Sequence, residues 1–277
     1  MKSTAGKLQA DGLKRAGIEL LSRIPSVIDH DTPLLFVHGA WHGAWCWEKY
    51  FLPYFAEKGY RAYALSLRGH GGSFGKSAIR RYRVSHYVED VRAIVRRLGR
   101  EPILIGHSLG GHVVQKYLES FPAPAAVLMA SVPVGGIVKM LKRLARDHPL
   151  RFLKANALLA LYPFVSTPAM AQEMLFSDGM DRSEILEYFK KLEEESYFSF
   201  LDMLFLSPLR PRRIKSEVLV MGAENDRVFY RRDIRKTGRA YNHKAIILPG
   251  MAHDMMLDLR WRQAADIILD WLLQKGL

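Results

Sequence analysis

A serine between glycines, an aspartate and a histidine are the residues of this chain best suited to do chemistry together. Ile103-Leu104-Ile105-Gly106-His107-Ser108-Leu109-Gly110-Gly111 reads as a short apolar strand, a tight turn and a helix whose apolar positions Val113, Val114, Tyr117 and Leu118 recur at helical spacing. Such a turn leaves no room for side chains two residues before and after the serine, which accounts for Gly106 and Gly110. Ser108 then displays its hydroxyl beyond the strand, with the N–H groups of the helix start facing any negative charge that develops there. Asp226 follows the strand Val218-Leu219-Val220-Met221-Gly222, and His253 follows the strand Ala245-Ile246-Ile247-Leu248. In an open α/β sheet, residues just beyond the carboxyl ends of strands converge.

These residue types complete one another. A serine hydroxyl is a poor nucleophile at neutral pH, so His253 is expected to take its proton and return it to the leaving group. Asp226 is expected to orient the imidazole and offset its transient positive charge. A tetrahedral oxyanion also needs donors. The strand Leu34-Leu35-Phe36-Val37 runs into His38-Gly39-Ala40-Trp41-His42-Gly43-Ala44-Trp45, and the backbone N–H groups of Ala40 and Leu109 are the expected pair. Losing one such donor typically costs about 3 to 4 kcal/mol of barrier lowering.

Other readings of these residues stay open. Glu224 lies two residues from Asp226, and an acid after an earlier strand is a further alternative. His38 and His42 have the spacing of a zinc pair on a helix, but a glycine between them and a strand before them point to a loop, with no third ligand evident, so no metal and no cofactor is expected. Gly69-His70-Gly71-Gly72-Ser73-Phe74-Gly75-Lys76-Ser77 is one residue too long for a phosphate loop, and His70 stands where a glycine is needed.

Taken together, the His38-Gly39 loop, the segment Arg68-Gly69-His70-Gly71-Gly72-Ser73, the Ser108 turn, Asp226 and His253 resemble the landmarks of the α/β-hydrolase fold over nearly the whole chain. Segment 38–45 is similar to the oxyanion loop of the plant methylesterase and hydroxynitrile lyase group. The lyases of that group carry threonine at the position of Gly39 and lysine at that of Asp254, so cyanohydrin cleavage is not implied. Ser108 likewise departs from relatives with an aspartate nucleophile, the haloalkane dehalogenases and epoxide hydrolases. Ser66 stands where the family usually has an aspartate, which bears on hydrogen bonding in that loop. The resemblance implies a serine hydrolase, and it extends to families that reuse the same three residues for lactone, thioester or carbon-carbon cleavage or for cofactor-free oxygenase and perhydrolase chemistry. A slow-turnover receptor is the rival from another class.

The supporting elements follow. With 277 residues, 49% of them hydrophobic, the chain suffices for one large α/β core with a mostly parallel sheet buried between helices. The alternation of strand and helix breaks between residues 134 and 214, so the expected organisation is a core of residues 1–133 and 215–277 with a helical cap of residues 134–214. In the cap, Ile137, Met140, Leu141 and Leu144 mark one helix face and Lys139, Lys142, Arg143 and Arg146 the other, and Asp181 with Glu184 has capping-box spacing. A substrate with a hydrophobic acyl or alkyl part is expected between cap and core, against Trp41, His107, Phe164, Met174 and Phe205, since methionines suit an adaptable apolar pocket.

Lys2 and Lys7 precede no long apolar stretch, and the single cysteine, Cys46, fits a reducing compartment, so a cytoplasmic protein, monomeric or weakly oligomeric, is expected. The net charge of +13 is met by solvated faces or by attraction to an anionic membrane surface or acidic substrates. No nucleic-acid partner is expected, because the basic runs carry no recognised nucleic-acid motif.

Overall fold

The computed structural model describes residues 17–277, so Lys2 and Lys7 and the reading built on them lie outside the described residues. Seven strands form one sheet: β1 (Leu20–Arg23), β2 (His30–Val37), β3 (Tyr60–Leu65), β4 (Ile103–His107), β5 (Ala125–Met129), β6 (Glu217–Ala223) and β7 (Ile246–Leu248), in the order β1-β3-β2-β4-β5-β6-β7. All neighbours are parallel except β1 and β3. Every residue of β4 and β5 is buried, so both faces of the sheet are covered, which is why these strands read as unbroken apolar runs rather than alternating ones.

The helices are α1 (Trp45–Glu48), α2 (Phe51–Glu57), α3 (Val84–Leu98), α4 (Ser108–Leu118), α5 (Val138–Asp147), α6 (Pro149–Leu158), α7 (Pro168–Leu175), α8 (Arg182–Phe189), α9 (Tyr197–Leu201), α10 (Arg231–Ala240) and α11 (Trp261–Gln274). Helix α4 packs on β2, β4 and β5, and α10 on β6, while α2 covers β1 and β3 and meets α11. Between β5 and β6 the described elements are all helical. Asp181 caps α8 alone: its carboxylate accepts from the Ser183 N–H at 2.7 Å, while Glu184 reaches outward to Lys49 Nζ at 2.9 Å, so the expected reciprocal box is not formed.

Chain order fixes where the sheet opens. From β2 the chain moves to β3 on one side and then returns to β4 on the other, so the loops after β2 and β4 part at a crevice. Val37 pairs with Gly106 in register, so the loops after β2 and β4 leave the sheet at the same level.

Ser66 is accommodated by a carboxylate from the neighbouring strand's entrance. Its hydroxyl accepts from the Ala44 N–H at 2.8 Å and donates to Glu19, whose carboxylate also accepts from the Gly72 N–H at 2.9 Å. Arg68 makes a forked pair with the buried Asp90, at 2.9 and 2.7 Å, and so ties the same loop to α3.

Candidate active site

Ser108 begins α4 with φ at 50°, a left-handed conformation that side chains rarely adopt and that turns its hydroxyl out of the sheet. A Cβ at Gly106 would stand 2.6 Å from the Gly110 carbonyl oxygen, the collision read from the sequence, but one at Gly110 would instead strike the carbonyl oxygens of Val37 and His38, at 2.3 and 2.4 Å. Gly110 is needed so that the turn can lie against the end of β2. Gly39 serves the same approach from the other side, because a Cβ there would meet His107 Nδ1 at 2.6 Å.

His253 Nε2 lies 3.0 Å from Ser108 Oγ, and His253 Nδ1 lies 2.9 Å from Asp226 Oδ2. The second oxygen of Asp226 accepts from the backbone N–H groups of Val228 and Phe229, at 2.6 and 2.9 Å, so the carboxylate is held by its own loop while facing the ring. Glu224 does not enter this chain of contacts. It is exposed, pairs with Arg231 at 3.2 Å and accepts from the Gly250 N–H at 3.0 Å. Burial opposes charge on His253, yet the Asp226 carboxylate beside it outweighs burial and raises its pKa above the ordinary value.

The loop after β2 is fixed by His38. Its Nε2 accepts from the Leu67 N–H at 2.9 Å, which leaves the proton on Nδ1 to be donated to the Gly39 carbonyl at 2.8 Å. Burial and the nearby His70 ring hold the pKa of His38 well below its ordinary value, so it stays neutral. Since the peptide is planar and trans, fixing the Gly39 carbonyl directs the Ala40 N–H to the opposite side. Leu109 lies in the first turn of α4, where backbone N–H groups have no intrahelical partner.

Ala40, Trp41, Ser108 and Leu109 line a cavity closed by Ile137, just before α5, by Met140 and Leu144 of α5, by Phe164, by Met174 and by Phe200 and Met203. Its free volume is small, about 40 Å³. Of the side chains expected against a substrate, Trp41, Phe164 and Met174 line this cavity. Phe205 does not: it is 63% exposed, in the wide turn Asp202–Leu206, and Met203, two residues earlier and on the opposite side of that turn, faces the cavity instead. His107 is also absent from the lining. It is buried behind the serine, where its Nε2 donates to the His253 carbonyl at 3.0 Å, and burial next to the His253 ring lowers its pKa to about 3. Val132, Val228 and Phe229 are lining residues the sequence reading missed, although the last two follow Asp226 at the spacing of a side chain that caps its own turn.

Behind His253 lies a second buried carboxylate. Asp254 Oδ2 is 2.9 Å from His42 Nε2, an ion-pair distance without an aligned hydrogen bond, and Oδ1 is 3.7 Å from His107 Nε2. Burial alone would raise its pKa, but the surrounding imidazoles, His42 foremost, lower it. His107, His253 and Asp254 are the one group of metal-type ligands found together among the described residues, within 4.8 Å. An ion there would compete with the contacts that both His253 ring nitrogens already make.

The sequence pattern of the alpha/beta hydrolase family matches residues 34–267. The chain belongs to that family. Methyl jasmonate esterase 1 of Vitis vinifera is 37% identical over 95 residues, 34% of this chain and 36% of that protein. Non-heme chloroperoxidase of Burkholderia pyrrocinia is 37% identical over 107 residues, 36% of this chain and 37% of that protein. The matched part of the chain thus spans little more than a third of the length of these two relatives. Among solved structures, monoacylglycerol lipase of Paleococcus ferrophilus superposes with a TM-score of 0.69 at 21% identity, covering 93% of this chain and 99% of that one, a likeness of fold.

Proposed function

We propose that this protein is a carboxylic ester hydrolase in which Ser108 is the nucleophile, His253 the base and Asp226 the residue that orients it. The observation that carries this reading is the hydrogen-bonded line from Asp226 through both ring nitrogens of His253 to the Ser108 hydroxyl, 2.9 and 3.0 Å long. Ser108 Oγ attacks the ester carbonyl carbon as His253 Nε2 takes its proton. The Ala40 and Leu109 N–H groups receive the oxyanion. Collapse breaks the bond to the alcohol oxygen, which leaves with the proton from His253. Water, deprotonated by the same ring, then cleaves the acyl-serine and frees the acid.

The apolar lining supports a hydrophobic acyl or alkyl group, and the esterase among the relatives supports an ester of a small alcohol. The narrow free space means that any such group enters by displacing the cavity's methionines or the helical segment that carries them. The test is a panel of p-nitrophenyl esters from acetate to laurate, with matching lactones and thioesters, against the native protein and Ser108→Ala. Turnover that rises from acetate toward longer acyl chains and is abolished in the variant supports the reading. A profile flat or falling from acetate upward, or turnover that survives in Ser108→Ala, contradicts it.

A further inference from the structure

The helical segment between β5 and β6 has two differently dressed sides. Inward, Met140 and Leu144 of α5, with Ile137 just before it, close the Ser108 cavity. Outward, the same helix presents Lys139, Lys142, Arg143 and Arg146, which with Tyr230, Arg232 and Asp233 line a cleft of about 470 Å³. Asp233 is taken up by Lys139. Arg143 lies over the Tyr230 ring at 4.1 Å, and its Nε and one terminal nitrogen are buried without a hydrogen-bond acceptor. A cleft with this excess of cations is complementary to an anion.

The next helix, which packs on α5, is apolar on its open side. Leu150 is 80% exposed, Leu153 65% and Leu158 50%, and helical geometry places Leu150 and Leu153 on the face turned away from the buried Ala155, with Lys154 beside them. Leu159 continues the stripe, and Phe205 and Leu206 are exposed on the turn after α9, whose Tyr197 is bonded to Asn156 of α6. Between residues 138 and 159 the chain has six basic residues and one acidic, Asp147. Exposed leucines interleaved with cations are the surface chemistry of an element that lies in a lipid interface, where apolar side chains enter the acyl region and cations meet the headgroups.

We infer that α5 and α6 form a docking face for an anionic phospholipid bilayer, with phosphate headgroups seated at the Lys142, Arg143 and Arg232 cleft and Leu150 and Leu153 inserted beside them. This inference does not depend on the ester hydrolase reading, since it uses no residue of the Ser108 cavity.

Co-sedimentation of the full chain with phosphatidylcholine vesicles, with and without phosphatidylglycerol, tests it. Binding at least about tenfold tighter to the anionic vesicles, and largely lost at molar salt, is expected. Lys142→Glu with Arg232→Glu is expected to weaken binding about tenfold or more, and Leu150→Asp with Leu153→Asp equally, while hydrolysis of a short soluble ester and the circular dichroism spectrum stay as in the native protein. Binding that is indifferent to phosphatidylglycerol, or unchanged in both double variants, overturns the inference. So does a concentration-dependent dimer, in sedimentation velocity, that the leucine substitutions dissolve, because the apolar face would then be covered by a second copy.

Discussion

At the scale of single residues, the site depends on where protons are held. In the proposed mechanism His253 works as a base only when neutral, and its raised pKa keeps it charged to a higher pH than a free imidazole. The acid limb of kcat/KM is therefore expected to have its midpoint above pH 6.5. In Asp226→Asn the carboxylate charge is gone and burial remains, so that midpoint shifts to lower pH while kcat falls about 10⁴-fold, as the ring loses its orienting acceptor. A pH-rate profile of both proteins checks this; a midpoint that stays in place would assign the limb to another group. His38 gives a second prediction. In His38→Ala the Gly39 carbonyl and Leu67 N–H lose their partners, so kcat is expected to fall about 10- to 100-fold with little change in KM, because the Ala40 donor is loosened rather than the pocket altered. Steady-state kinetics separates the two constants.

At the scale of elements, the helical segment is strapped to the core by three consecutive glutamates after α8. Glu193 accepts from the Gly71 N–H at 2.6 Å while its own N–H donates to the Trp41 carbonyl at 2.9 Å. Glu194 accepts from the N–H groups of Leu161 and Tyr162 in the segment itself, at 2.9 and 2.8 Å, and pairs across to Arg80 of the core at 3.4 Å. Glu195 is buried, accepting from the Tyr87 hydroxyl at 2.8 Å and lying 3.2 Å from His70 Nε2. Burial disfavours a charged His70, but Glu195 outweighs it and raises the His70 pKa. A raised folded-state pKa means that the pair's stabilisation is fully present below the unfolded histidine pKa, about 6.5, and is lost as pH rises through the folded value. The Tm difference between native protein and Glu195→Gln is accordingly expected to be largest near pH 6 and to shrink in alkaline buffer. A difference independent of pH would show that packing alone is at stake.

The same scale shows what a sequence exposes and what it hides. β4 and the inner stretches of β2 and β6, Leu34 to Val37 and Val218 to Met221, are legible because strand segments buried on both faces are apolar, and the residues just past these strands are then confined to the sheet's carboxyl edge. β1 is not legible, being a short, half-buried antiparallel edge. The inward face of α5 follows from its period, whereas Phe205 defeats the reading because the wide turn Asp202–Leu206 departs from that period. His42 and Asp254 are close only through the meeting of two loops distant in sequence, and nothing in local spacing announces that.

At the scale of the whole molecule, the proposed function depends on a nearly filled cavity between two parts of the chain. A larger side chain in its wall must discriminate by substrate length. Met174→Trp is expected to leave acetate ester turnover within about threefold and to lower kcat/KM for octanoate by 10-fold or more, since each excluded methylene is worth ~1 to 3 kcal/mol. Kinetics on the two esters checks this, and equal losses on both would place the acyl group elsewhere.

The most direct measurement is of the bond to Ser108 itself. Native protein mixed rapidly with p-nitrophenyl butyrate and quenched in acid is expected to gain the mass of one butyryl group, with the peptide bearing Ser108 as its only carrier and no gain in Ser108→Ala. An acyl group carried by another residue, or full ester turnover in Ser108→Ala, would contradict the assignment of Ser108 as nucleophile.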